Sequence, residues 1–151
     1  MNAIQLLKSE HDTAKQAFAQ IKTARAEQRG KLWTKLEPEL KMHEQLEETA
    51  LYGPVAQEVG SHDETLKAWQ AQHQDEVAAL DALIQELDGL EPADDEWLDK
   101  LGELQQTLAH HIEEEEGEVW PRIQRAWDAS KLDQAGQQME ALKRQKKARA
   151  A

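Results

Sequence analysis

The sequence predicts an all-α protein, an up-down-up-down four-helix bundle with a short fifth helix at its C-terminal end. Three observations point there. Four long segments carry apolar residues at alternating spacings of three and four, the stripe of a core-facing helix. The composition favours helix, with many Ala, Leu, Glu, Gln and Lys and only seven Gly and four Pro in 151 residues. A third clue is a pattern that occurs twice. His43-Glu44-Gln45-Leu46-Glu47-Glu48 is followed by Leu51-Tyr52-Gly53-Pro54, and His111-Ile112-Glu113-Glu114-Glu115-Glu116 is followed by Val119-Trp120-Pro121.

The first helix is expected from Asn2 to about Gln28, with Ile4, Leu7, His11, Ala14, Phe18 and Ile21 as its stripe and Gly30 as its stop. The second runs from about Lys31 to Tyr52 on Leu36, Leu40, His43, Glu47 and Leu51. Pro38 should bend or break it, because proline lacks the N–H that a helix interior uses, and Gly53-Pro54 should close it. Ser61 and Glu64 read as a capping box opening a third helix to about Asp88, with Leu66, Trp69, His73, Val77, Leu80, Ile84 and Leu87 inward. The fourth runs from about Asp95 to Trp120 on Trp97, Leu101, Leu104, Leu108, His111, Glu115 and Val119, with Pro121 interrupting or ending it. A shorter fifth helix after Ser130 carries Leu132, Met139 and Leu142. It is too polar to be central and should lie against the bundle. The expected division is a bundle over residues 1–128 and a short helix with a basic tail over 129–151.

Charge and composition exclude several function classes. The net charge of -12 argues against nucleic acid or an anionic membrane as partner of the main body, since both select a basic surface. The last residues break the trend with Lys143, Arg144, Lys146, Lys147 and Arg149, a solvated tail or a weak electrostatic docking segment. With no cysteine, disulfides, thiolate ligands and a Cys nucleophile are excluded. No basic segment followed by an apolar run suggests a signal peptide, and no apolar stretch is long enough to span a membrane, so cytoplasm is the expected compartment.

Each of the four long stripes contains one histidine: His11, His43, His73 and His111. His11 and His73 lie in the N-terminal halves of odd helices, His43 and His111 in the C-terminal halves of even ones. In an antiparallel bundle all four then share one layer near one end. Glu47 and Glu115 follow His43 and His111 by four residues, one turn on along the same face. A single histidine on an apolar face is ordinarily a hydrogen-bonded core residue. A buried carboxylate must be paired or bound to a metal, and the stripes hold too few Lys or Arg to pair two. Imidazole with carboxylate and no thiolate suits iron, manganese or zinc. Six such ligands exceed one tetrahedral zinc and suit two ions.

These residues resemble the hemerythrin family in its bacterial His-His-Glu cation-binding form. The resemblance rests on Glu10-His11-Asp12, His43-x-x-x-Glu47-Glu48, His73, and His111-x-x-x-Glu115-Glu116 with Pro121, and covers about Asn2 to Trp127. It implies a hemerythrin-like bundle and a non-haem di-iron centre, with His11 and His43 on one side, His73 and His111 on the other, and Glu47 and Glu115 bridging. The oxygen-carrying members are expected to have a second histidine four residues after the first on the third helix, and here that residue is Val77. Glu44 could replace the lost ligand, or be solvated. The loss puts reversible O2 carriage in doubt. The implied function is binding of, or response to, a small ligand (O2, NO or peroxide). Catalase-like peroxide decomposition and iron sensing or storage are the alternatives. The oligomeric state is open, with a monomer favoured. His110 points about 100° from His111 on the helix and should lie off the centre. Glu10, Asp12, Glu48 and Glu116 either hydrogen-bond the imidazoles or are solvated. Leu7, Leu51, Tyr52, Trp69, Val119 and Trp120 should surround the site as core or pocket lining, and Tyr52 is the one tyrosine.

Overall fold

A computed structural model describes residues 1–59 and 62–150. Its regular structure is entirely helical, with no strand among the described residues: α1 Ala3–Thr23, α2 Ala26–Leu46, α3 Gly53–Val59, α4 Glu64–Asp88, α5 Asp95–Glu114, α6 Trp120–Ala126 and α7 Ala129–Ala150. A π-helical turn, Glu47–Tyr52, joins α2 to α3 without a break, and a second, Glu115–Val119, joins α5 to α6. The architecture is a helical bundle, with α1 packed on α2, α4 on α5, and α7 on α1.

Local chemistry explains where the helices start and stop. Asn2 caps α1 in a reciprocal box with Gln5: the Asn2 side chain accepts from the Gln5 N–H at 2.9 Å and the Gln5 side chain accepts from the Asn2 N–H at 3.0 Å. That helix ends at Thr23, because Ala24 and Arg25 turn to extended backbone. Gly30, expected as the stop, sits inside α2. It packs beside Pro92 of the α4–α5 linker, where a Cβ would stand 3.4 Å from the proline ring, an ordinary contact. Pro38 also lies inside an unbroken α2. The expected cap Ser61 lies outside the described residues. The structure gives the cap role to Asp63, whose side chain accepts from the N–H groups of Thr65 and Leu66.

Neither Gly53-Pro54 nor Pro121 ends its helix. In each π turn the N–H bonds one residue further back: Gly53 donates to Glu48 O, and Trp120 donates to Glu115 O. The hydrogen-bond register restarts there, and each proline falls in the first turn of the next α segment, where its missing N–H costs little. The widened turn brings Glu48 O so close that a Cβ on residue 53 would stand 2.7 Å from it, so only glycine fits.

The fifth helix is not short. It spans 22 residues and buries Leu132, Ala135 and Met139. A Cβ at Gly136 would collide with the backbone of Met1 and Asn2, so this glycine lets α7 close on the start of α1. Two apolar clusters result. One holds Phe18, Ile21, Trp33, Leu36, Leu80, Ile84, Trp97, Leu101 and Leu104. The other holds Leu7, Leu46, Leu51, Leu66, Ile123, Met139 and their neighbours. On α1, α2, α4 and α5 the histidine lies near the boundary between the two clusters, as on α1, where Ile4 and Leu7 lie on one side of His11 and Phe18 and Ile21 on the other. The histidine layer is therefore not at an open end of the bundle. It is flanked on both sides by apolar core, because the π turns, α3, α6 and α7 continue the molecule past it.

Candidate metal centre

Six ionisable side chains share the layer between the clusters, and all are 9% exposed or less: His11, His43, Glu47, His73, His111 and Glu115. His43 and His111 stand in the last turns of α2 and α5. Glu47 and Glu115 are the first residues of the two π turns, so the duplicated pattern is also a duplicated distortion of the backbone.

Their ligand atoms converge as two overlapping groups, His11-His43-Glu47-Glu115 and Glu47-His73-His111-Glu115, each with its ligand atoms within 4.8 Å of one another. His43 Nε2 is 3.0 Å and His73 Nε2 3.5 Å from the same oxygen, Glu47 Oε1. His11 Nε2 and His111 Nε2 lie 3.3 and 3.2 Å from Glu115 Oε1. Each glutamate thus faces one histidine of each group. His11 Nε2 and His43 Nε2 face each other at 3.1 Å. Two lone pairs would repel at that distance, as would two N–H groups, so a proton or a cation belongs between them.

The outer nitrogens are equally constrained. The Nδ1 of His11 meets Glu116 at 2.7 Å, that of His43 meets Glu10 at 2.9 Å, and that of His111 meets Glu76. His73 Nδ1 lies 3.5 Å from Glu48. An ionised carboxylate only accepts, so the Nδ1 atoms of His11, His43 and His111 carry the proton and their Nε2 atoms are turned to the centre, the arrangement in which imidazole serves as a metal ligand. The second glutamate of each repeat faces a histidine on another helix: Glu48 faces His73 on α4, and Glu116 faces His11 on α1. Asp12 does not take part and pairs with Lys8 at 2.7 Å. The sequence reading missed Glu76. Its signal was an acid three residues after a stripe histidine, on the same face, although it serves His111 across the bundle rather than its own helix neighbour.

Burial and charge oppose each other here. Burial favours neutral imidazole, but Glu47 and Glu10 hold His43 well above the usual histidine range. His111 is pushed up to about 9 against its burial, by Glu76 and Glu115. Burial and then the neighbouring Glu47 charge raise Glu115 to about 7, while His43 and its neighbours hold Glu47 low against burial. Without a cation the layer therefore holds its carboxylates through protons on histidine. Even so, both oxygens of Glu47, Oε1 of Glu115 and both nitrogens of His73 are buried without a hydrogen-bond partner. A buried oxygen left unpaired is costly, and positive charge placed between these atoms removes that cost.

Tyr52 finishes the arrangement. Its hydroxyl donates to Glu115 Oε2 at 2.5 Å and accepts from Trp120 Nε1 at 2.9 Å. The Tyr52 ring lies against His73, and the Trp120 indole stacks on His11 with ring centres 4.8 Å apart. Beside His73 and His111 a cavity of about 10 Å³ opens among Tyr52, Trp69, Gln72, Glu76 and Val119, room for about one water. Leu7, Leu51 and Trp120 are buried core rather than lining of this cavity. The structure does not bring Glu44 into either ligand group. It sits beside Asp81, and burial first, then the Asp81 charge, pushes it up to about 8. His110 is exposed.

The family model for the hemerythrin HHE cation binding domain matches residues 2–123. No curated protein and no solved structure matches the chain. Among the described residues, no helix is long and apolar enough to cross a membrane.

Proposed function

The chain belongs to the hemerythrin HHE cation-binding family, and from that premise we propose that it holds two iron ions and binds a small ligand, O2, NO or peroxide, at them. The observation that carries this reading is the sharing of Glu47 and Glu115 between two ligand groups. One ion would use His11 and His43, the other His73 and His111, with both carboxylates common to the two. The unpartnered buried oxygens fit such a pair, and imidazole with carboxylate fits iron, with manganese or zinc able to use the same donors. An up-down-up-down run of the four long helices places two histidines on each side of the layer and is part of the same proposal.

A bound iron pair would supply open coordination positions and electrons for a small oxidant. The chain's own groups do the rest. Glu10, Glu48, Glu76 and Glu116 face the outer sides of the imidazoles, and the apolar clusters above and below close the layer along the bundle axis. Tyr52 keeps Glu115 Oε2 occupied by a hydrogen bond, so only Glu115 Oε1 is free to face the histidines, whereas Glu47 has both oxygens free. The cavity at His73 and His111 admits a molecule of about the size of water, which suits a diatomic or peroxide better than an organic substrate. Val77, half-buried and apolar, contributes no donor on this side.

The test is titration of the anaerobically iron-loaded protein with NO and, separately, with peroxide, followed by absorption spectroscopy. A saturable spectral change at no more than one ligand per iron pair, with little O2 release, supports ligand binding. Sustained O2 release from peroxide would replace it with the catalase-like reading. No spectral response to either ligand would leave iron handling as the function.

A further inference from the structure

On the face of the layer away from the small cavity, a cavity of about 650 Å³ lies between α1, α2, α5 and the last turns of α7. This is the size of a small-molecule site. Its walls are apolar, with Leu36, Leu40, Leu108 and Ile112 among them, and it reaches the imidazoles of His11 and His43. Its mouth is unlike the rest of the molecule. In a chain of net charge -12, α7 lays Lys143, Arg144, Lys146 and Lys147 along this opening, where Glu10 and Glu39 are the only acids among the described residues. Lys143 is used internally, in its ion pair with Glu10 at 2.5 Å. No other described residue forms a salt bridge with Arg144, Lys146 or Lys147, and all three are exposed.

From an apolar chamber with a cationic rim we infer that this cavity is a binding site for an amphipathic organic anion: one acidic head group on an apolar body, a medium-chain carboxylate being the simplest case. The body displaces water from the leucine and isoleucine walls. The head sits among Arg144, Lys146 and Lys147, which form no salt bridge among the described residues. Exposed lysines alone would attract any anion weakly, and the walls alone would accept any apolar body, so the pairing of the two sets the ligand class. The sequence left the basic tail as either solvated or docking. In the structure it is the rim of a chamber.

Calorimetric titration of the full metal-loaded chain with decanoate, below the concentration at which it forms micelles, tests this. Decanoate should bind saturably at one per chain, and 1-decanol about tenfold more weakly or less. Lys146→Glu with Lys147→Glu, at exposed positions outside the metal layer, should weaken decanoate by about tenfold or more while metal content and melting temperature stay unchanged. Leu108→Trp, which fills the chamber from a half-buried position, should abolish binding with the rim intact. Equal affinity for decanol, or wild-type affinity in either variant, overturns the assignment. The latter is also what a carboxylate captured by the metal centre itself would give. Absence of decanoate binding, or association with anionic phospholipid vesicles alone, overturns it too and makes the rim a membrane-facing patch.

Discussion

The two apolar clusters on either side of the histidine layer are built differently. The cluster around Trp33, Trp97, Leu101 and Leu104 consists of regular α-helix, with inward residues three and four apart and side chains almost wholly enclosed. The cluster around Leu46, Leu51, Trp120 and Met139 takes in residues of both π turns, Ala50, Leu51, Tyr52 and Val119, along with regular helix, and α7 adds Leu132, Ala135 and Met139 to it. In the first, burial of apolar surface suffices to fix the structure. In the second, the backbone departs from its preferred helix at the residues that face the centre. This teaches that the distortion belongs to the site: the π turns start on the two glutamates, not on a Gly or Pro. The first cluster should stand alone, and the second should depend on occupancy of the layer between them.

A crossed pair of substitutions gives the largest expected effects. Leu104→Ala in the regular cluster should destabilise the protein by about 2–5 kcal/mol in chemical denaturation and leave the metal content unchanged. Glu47→Gln should remove most bound metal and should also destabilise the metal-free protein, since it leaves protonated His43 without its buried partner. If Leu104→Ala empties the centre in the folded protein, or Glu47→Gln leaves it full, the two regions are not separable as described.

Gly53→Ala sharpens the comparison at one atom. The added methyl meets Glu48 O at 2.7 Å inside the π turn. A loss of about 1–3 kcal/mol is expected, with faster amide hydrogen exchange across α3 and unchanged exchange around Trp97. A neutral effect would mean that the widened turn yields readily.

The smallest effect is on pH. His111 is raised to about 9 in the fold, above the usual histidine value, so the folded metal-free chain binds the extra proton. That stabilisation is fully present below the ordinary histidine pKa and is lost as pH rises through about 9. Glu44, raised to about 8, acts in the same direction: it holds a proton in the fold that the unfolded chain has released. The metal-free protein should therefore melt several degrees lower at pH 9 than at pH 7. The metal-loaded protein should show less of this loss, because a cation takes the place of the protons. A melting temperature that rises with pH in the metal-free protein would contradict the layer's charge balance.

The regular cluster was legible in the sequence nearly residue by residue, from Phe18 and Ile21 to Trp97, Leu101 and Leu104, because period alone determines it. The convergence of four histidines and two glutamates was legible for the same reason: each occupies an inward slot of a stripe. The continuation past them was not. Gly53-Pro54 and Pro121 carry the ordinary signals of helix ends, and nothing in residue type shows that a π turn has moved each proline into a tolerated position. The same rule misplaced the first turn, since Ala24 and Arg25 hold no Gly or Pro while Gly30 does. Gly30 instead lies within α2 beside Pro92 of the next linker, and Gly53 fits the close approach of Glu48 O inside the π turn. The pairing of Glu76 with His111 and the reach of α7 to Glu10 depend on the neighbouring helix, which no stripe records.

The central claim is a layer in which two glutamates are shared by two cations. The most direct test is a count of metal per folded chain after anaerobic loading with ferrous iron and removal of the excess, for the wild type and for His73→Ala. The account predicts two irons in the wild type, about one in His73→Ala with the His11 and His43 side still occupied, and none in Glu47→Ala. One iron or none in the wild type would contradict it, and the six buried side chains would then form a proton-balanced cluster or a single-metal site.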